Sequence, residues 1–214
     1  MYMRNTSSLI YIVNQNYQKN TGITPYQFRM LTLTQSKSSR DLQGIIDLQR
    51  ANLSTLITAD EKEAQGFVFV QHSLNDLQKL QNIEPHVIAM DGDYVAAYIL
   101  AMTKNSKADI PQLIPMFQQF DKIAYGGKNV SEYNYITVGQ ICIGKSYRGE
   151  GLFDKCYQKY RQVFESNYEF AITEISTSNH RSMRAHQRVG FEVIHTFHDG
   201  VEEWNIVLWD WQKD

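Results

Sequence analysis

The sequence predicts a mixed α+β fold, a twisted sheet covered by helices. Three observations carry this. Strand-like and helix-like runs follow one another as strand, helices, strands, insertion, strand, helix, strand, helix and two strands. Two hairpin signals, Asp91-Gly92 and His198-Asp199-Gly200, each separate apolar runs. A glycine-containing turn, Tyr147-Arg148-Gly149-Glu150-Gly151-Leu152-Phe153, joins a strand-like run to a helix-like one.

In chain order, residues 1–26 are polar and rich in Asn and Gln, and are expected to form an extension or a short helix outside one domain spanning 27–214. Residues 28–34 alternate apolar and polar side chains and read as a strand. Ser39 can cap a helix reaching about Thr55, with Leu42, Ile45, Ile46, Leu48 and Leu53 on its apolar face. A second helical piece covers about 73–81, and 86–90 and 94–102 are strands around Asp91-Gly92. Residues 104–133 interrupt the pattern. Within them 109–120 looks helical despite Pro111 and Pro115, and 125–129 looks like an exposed loop. An insertion of that length inside a compact domain suggests function.

The next strand is 134–143, and Gly139 inside it suggests a bulge. After the glycine turn, Phe153, Cys156, Tyr157, Tyr160, Val163 and Phe164 form one stripe of a helix over 153–168. Residues 170–176 form a strand. Asn179 caps a short helix that ends at Gly190, and 191–197 with 203–211 close the fold as a hairpin. The Trp204, Trp209 and Trp211 series reads as hairpin packing, an exposed part of which could serve a homodimer.

Composition narrows the class. Of 214 residues, 43% are hydrophobic and 21% charged, as in an ordinary globular domain with a real core. A net charge of −2 favours neither nucleic acid nor an anionic membrane. No apolar stretch nears the length of a membrane span, and the run at 9–13 is too short for a secretory signal. Cys142 and Cys156 fit neither a zinc site nor a disulfide framework, so a reduced cytoplasmic setting is the simplest expectation.

The glycine turn carries the chemistry. Two glycines let the backbone approach a ligand closely. The first N–H groups of the following helix lack intrahelical partners and sit at the positive end of its dipole. Such a turn binds an anion, most naturally a phosphate. No Gly-Lys-Ser/Thr follows, which argues against a nucleotide triphosphatase.

A second block gives the phosphate a context. Arg148 to Phe153, after Ile141-Cys142-Ile143, resembles the Arg/Gln-x-x-Gly-x-Gly/Ala signature of the GCN5-related N-acetyltransferases (GNAT). Asn179-His180-Arg181-Ser182-Met183-Arg184-Ala185-His186-Gln187-Arg188-Val189-Gly190-Phe191 resembles that family's Asn-x-x-Ala-x-x-x-Tyr-x-x-x-Gly-Phe block, with His186 where many members carry tyrosine. Phe153 replaces a small residue of the first signature. The likeness is clear over 134–211; over 27–103 it extends only to element order.

What the resemblance implies is specific. The sheet would be mostly antiparallel, with six to seven strands and a V-shaped split between central strands. Acetyl-CoA would lie in that split. Ile141, Cys142 and Ile143 would border the pantetheine arm, with the main chain of Ile141 and Ile143 acting like an added strand and Cys142 facing the other side of the pleat. Arg148, Gly149, Glu150, Gly151, Leu152 and Phe153 would offer N–H groups to the pyrophosphate without a metal. Asn179 and Ser182 would complete the cofactor site. The acceptor would be a primary amine on a small molecule or a peptide, attacked directly in a ternary complex. A lysine-like amine with pKa about 10.4 is neutral in only about one molecule per thousand near pH 7, so a base is useful. Glu174 aligns with a base in some members; the alternative is an exposed strand residue. His186 could protonate the departing thiolate, or only line the pocket. A second reading keeps the fold as an acyl-CoA-binding sensor without turnover. The residues do not name the acceptor.

Overall fold

The computed structural model describes residues 8–12, 29–53, 56, 68, 70–108 and 110–213. In chain order these form β1 (Ser8–Ile12), β2 (Arg29–Gln35), α1 (Ser39–Arg50), α2 (Leu74–Ile83), β3 (Val87–Asp91) and β4 (Tyr94–Met102). Then come α3 (Ile114–Phe120), β5 (Ala124–Tyr125), β6 (Lys128–Asn129), β7 (Tyr135–Ile143) and α4 (Leu152–Phe164). The chain closes with β8 (Phe170–Ser176), α5 (His180–Val189), β9 (Glu192–His198) and β10 (Glu203–Asp210). Eight strands make one sheet in the order β1-β2-β3-β4-β7-β8-β10-β9. All neighbours are antiparallel except β7 and β8. The expected α+β class and mostly antiparallel sheet are therefore present, with eight strands rather than six or seven.

The extra strand corrects one expectation. Ser8–Ile12, inside the segment read as an extension, pairs with β2 from Ser8 opposite Leu33 to Ile12 opposite Arg29. Other boundaries shift for local reasons. Ser38, not Ser39, caps α1: its hydroxyl accepts from the Asp41 N–H while Asp41 accepts from the Ser38 N–H. That helix stops at Arg50. Residues 104–133 are short pieces: 3-10 turns at Lys104–Ala108 and Pro111–Leu113, then α3 with Pro115 in its first turn, where proline is tolerated. Asp109, the expected start of that helix, lies outside the described residues. The expected loop at 125–129 is a small hairpin turning through Gly126 and Gly127, both at positive φ.

The sheet separates two faces. On one, α4 buries Leu152, Cys156, Tyr157, Tyr160 and Phe164 against Ala97, Ile99, Ala101, Ile136 and Val138. Burying side chains of this size contributes about 1.5–3 kcal/mol each before chain entropy is counted. On the other face α1 and α2 cover Tyr98, Leu100 and Met102, and α3 covers Phe170, Ile172, Ile206 and Leu208. Among the described residues, no helix is long and apolar enough to cross a membrane.

The centre of the sheet opens. β7 and β8 pair only through Tyr135 with Phe170, Ile136 with Ala171 and Thr137 with Ile172. Just beyond, the β4–β7 register slips between Leu100–Gln140 and Ala101–Val138, leaving Gly139 as the extra residue of the expected bulge. A Cβ on Gly139 would meet the end of the Met102 side chain, so glycine lets that side chain lie across the bulge. The strand ends past this point border a split, and the candidate site occupies it.

Candidate active site

Two cavities share the split. One, of about 540 Å³, lies against the glycine turn and the start of α5. The other, of about 370 Å³, lies between β8, α3 and the 70–76 segment. Val68, Ile141, Asn179 and Ser182 line both.

The larger cavity is built for an anion. Gly149 and Gly151 sit at φ +80° and +73°, which reserves both positions for glycine. A Cβ on either would meet nothing within 4 Å, so space beside the turn is open. Gly151 is the N-cap of α4 and no side chain caps that end. The amides of its first turn, from Leu152 and Phe153 onward, therefore lack intrahelical acceptors and present the positive dipole end to the cavity. Arg148, Arg181, Arg184 and Arg188 line it against one carboxylate, Asp154. Asp154 is already taken by Arg188, at 3.1 Å and 2.7 Å. Glu150 keeps one carboxylate oxygen buried without a partner, so only its main-chain N–H suits an anion.

The β7 edge supplies the next part. The Gly144 N–H donates to Ala96 O on β4 at 2.8 Å. Groups alternate sides along a strand, so the main-chain groups of Cys142 also face β4, and those of Ile141 and Ile143 face the split. Arg148 confirms the direction: its Nε–H donates to Ile143 O at 2.9 Å, and its Nη2 bonds to Asn52 Oδ1. Cys142 contributes only a wall. Its side chain packs on the α1 face, and burial pushes the thiol up to about 12. A ligand with a pyrophosphate and an extended amide arm, such as coenzyme A, fits this combination of positive turn, arginines and a strand edge open at Ile141 and the Ile143 N–H.

Asn179 caps α5 by accepting from the Ser182 N–H at 3.2 Å, which places both residues where the cavities meet. Glu174 lines the smaller cavity from β8, opposite Ile206 of β10. Burial, helped by the Asp199 charge, raises its pKa to about 7. No described residue hydrogen-bonds its carboxylate. A carboxyl group poised near neutrality in a cleft has the acidity expected of a base.

His186 is placed differently from the expectation for a proton donor. It is 2% exposed. Its Nδ1 lies 2.8 Å from Ser182 O and its Nε2 lies 2.6 Å from Tyr157 Oη. The carbonyl can only accept, so Nδ1 carries the proton and Nε2 accepts from the tyrosine hydroxyl. Burial lowers its pKa to about 4, so the ring is neutral at pH 7. Phe153, Tyr157 and Phe191 enclose it with ring centroids 5.2–5.3 Å away. Phe153, the departure from the first signature, packs its ring against His186 while also lining the larger cavity.

Other features of this site went unread in the sequence. Arg181, Arg184 and Arg188 recur at i, i+3 and i+7, a spacing that puts them on one helical face. Asp76 and Trp204 line the smaller cavity but come from α2 and β10, and nothing local marks them. Trp209 and Trp211 are buried against α4, so only Trp204 of that series is partly exposed. Among the described residues no group of three His, Cys, Asp or Glu is placed to hold a metal.

No protein-family model and no curated protein matches the sequence. Solved structures do. The GNAT domain of S. lividans PAT aligns over 98% of this chain and 99% of its own, with TM-score 0.60 and 11% identity. A chain of the NatC complex bound to Gag peptide and CoA aligns over 84% and 98%, with TM-score 0.57 and 10% identity. The ribosomal-protein-S18-alanine N-acetyltransferase from Escherichia coli aligns over 85% and 94%, with TM-score 0.55 and 12% identity. The chain therefore has the fold of the GCN5-related N-acetyltransferases.

Proposed function

We propose that the protein is an acetyl-CoA-dependent N-acetyltransferase acting on a primary amine. The observation that carries this reading is the polarity of the split. On one side are four arginines and an uncapped helix start; on the other, the charged lining among the described residues is two carboxylates, Glu174 and Asp76; and the two cavities share Asn179 and Ser182. Such a site takes an anionic donor from one end and a cationic acceptor from the other. That the NatC chain was crystallised with CoA supports the choice of donor.

Acetyl-CoA would supply an activated thioester carbonyl where the cavities meet. The turn from Arg148 to Phe153 would hold the pyrophosphate, and the main chain of Ile141 with the Ile143 N–H would hold the pantetheine, the Ile143 carbonyl being taken by Arg148. Glu174, ionised in about half of the molecules at neutral pH, takes a proton from the acceptor ammonium and frees the lone pair. The amine nitrogen then bonds to the acetyl carbon as the carbon–sulfur bond breaks. The proton lost by nitrogen balances the one the thiolate needs. The thiolate is a modest base, with a thiol pKa near about 8.5. We assign His186 to the wall, since its one ring proton is held by a carbonyl. Asn179 and Ser182 remain as polar groups beside the sulfur.

Calorimetric titration with acetyl-CoA tests the donor site, and thiol release in the presence of amines tests turnover. Binding with release supports the reading. Binding without release across a broad amine panel supports an acyl-CoA sensor, and absence of binding overturns both.

A further inference from the structure

The smaller cavity has a chemistry that selects among amines. Its charged lining is Asp76 and Glu174, and no lysine or arginine lines it among the described residues. The Asp76 carboxylate is engaged in capping α2, accepting from the Ser73 hydroxyl at 2.7 Å and the Ser73 N–H at 3.3 Å. His72, also in the wall, is neutral: its Nδ1 lies 3.1 Å from Gln49 Nε2, and burial holds its pKa at about 4. Among the described residues Glu174 is the lining carboxylate with no hydrogen bond of its own, and Asp76 adds a second negative charge to the wall. Around it the wall is apolar: Met102 and Ile110 are almost fully buried, Leu113 and Met116 half-buried. Trp204 is held in place by its Nε1–H, which donates to Asp199 Oδ2 at 2.9 Å.

We infer that the acceptor is a small primary amine on an apolar body that carries no carboxylate of its own. This rests on the acetyl-transfer reading above and narrows it. The ammonium pairs with Glu174 and the hydrocarbon lies along Met102, Leu113, Met116 and Trp204. An α-carboxylate next to the amine would face Glu174 and Asp76 with no cation among the described lining residues to receive it, so charge repulsion disfavours amino acids. The volume of about 370 Å³ suits a small-molecule body.

The test compares 2-phenylethylamine, phenylalanine, spermidine and a tetrapeptide amide as acceptors with acetyl-CoA, read as thiol release. The kcat/KM for 2-phenylethylamine should exceed that for phenylalanine by about 100-fold or more, because a pocket that leaves a charge unpaired discriminates strongly. Phenylalanine within tenfold, or spermidine or the peptide above 2-phenylethylamine, overturns the inference. Met116→Lys supplies the missing cation at the wall and should shift the ratio toward phenylalanine by about tenfold or more; an unchanged ratio in the folded variant also counts against it. Saturation-transfer NMR of the same compounds, with and without acetyl-CoA, separates the two readings. If calorimetry shows no acetyl-CoA binding, acetyl transfer falls, yet selective saturation of 2-phenylethylamine over phenylalanine still supports the cavity's preference. No saturation of 2-phenylethylamine in either state overturns it.

Discussion

Replacing Glu174 with glutamine should stabilise the fold while removing the proposed base, and the pH dependence gives the magnitude. Burial raises the Glu174 pKa from 4.5 to about 7. Between those values the folded chain binds more protons at this site than the unfolded chain, so stability falls as pH rises through the window. Below pH 4.5 both states are protonated at this site and the cost vanishes. Above pH 7 the full cost applies; at 1.36 kcal/mol per factor of ten it is about 3 kcal/mol, an upper bound because water reaches the half-buried carboxylate. Glutamine keeps the shape and never ionises. Glu174→Gln and the parent chain should therefore have similar stability near pH 4, and the variant should gain by up to about 3 kcal/mol near pH 8.

Urea unfolding at intervals between pH 4 and pH 9, followed by tryptophan fluorescence, measures the difference directly. Two pH curves that run parallel would refute the reasoning, since the gap between them would then owe nothing to ionisation. The same group sets the activity profile on the proposed mechanism. The parent rate should rise with pH with a midpoint near 7, and the variant should lose that limb.

Two further substitutions probe the rest of the site. His186→Phe should destabilise the chain by about 1–3 kcal/mol by leaving the Tyr157 hydroxyl buried and unpartnered, and Tyr157→Phe added to it should recover part of the loss; turnover per folded molecule should keep its pH profile, and loss of an alkaline limb would restore the acid role to His186. Gly151→Ala forces a Cβ onto φ +73° and should cost about 1–2 kcal/mol of stability, with a weaker grip on acetyl-CoA measurable by calorimetry; unchanged affinity would mean the turn does not hold the donor.

Much of this architecture was legible because it is encoded locally. The Asp91-Gly92 turn, the Gly139 bulge and the Asn179 cap each rest on a preference that acts within a few residues, and each lies where the pattern puts it. Gly190 ends α5 as expected, but tertiary packing adds a reason invisible in sequence: a Cβ there would come within 2.8 Å of Trp209 Nε1. β1 was illegible because its partner, β2, lies some twenty residues on and the run itself is short. The acceptor cavity was illegible for a related reason. Asp76, Met116, Glu174 and Trp204 meet only after α2, α3, β8 and β10 assemble, and no spacing links them. His186 shows the limit from the other side. Its position in a motif suggested chemistry, whereas its chemistry depends on Tyr157 and the Ser182 carbonyl, the first of which is twenty-nine residues away in sequence.

The Glu174 and His186 environments follow from one cause with opposite consequences. Both groups are desolvated, and desolvation penalises whichever form is charged. For the carboxyl this raises the pKa to about 7 and leaves it half ionised near neutral pH, as the proposed base would need. For the imidazole it lowers the pKa to about 4, removes the positive charge and frees Nε2 to accept from Tyr157. A charged His186 would have added to the arginines of the donor side at the point where Asn179 and Ser182 join the cavities. With it neutral, the positive charge among the described lining residues sits at the turn and α5, and Glu174 is the described carboxylate of the smaller cavity without a hydrogen bond. That separation of charge across the split is what the proposed reading assigns to a donor end and an acceptor end, and a single burial-driven rule accounts for both the proposed base and the silent histidine.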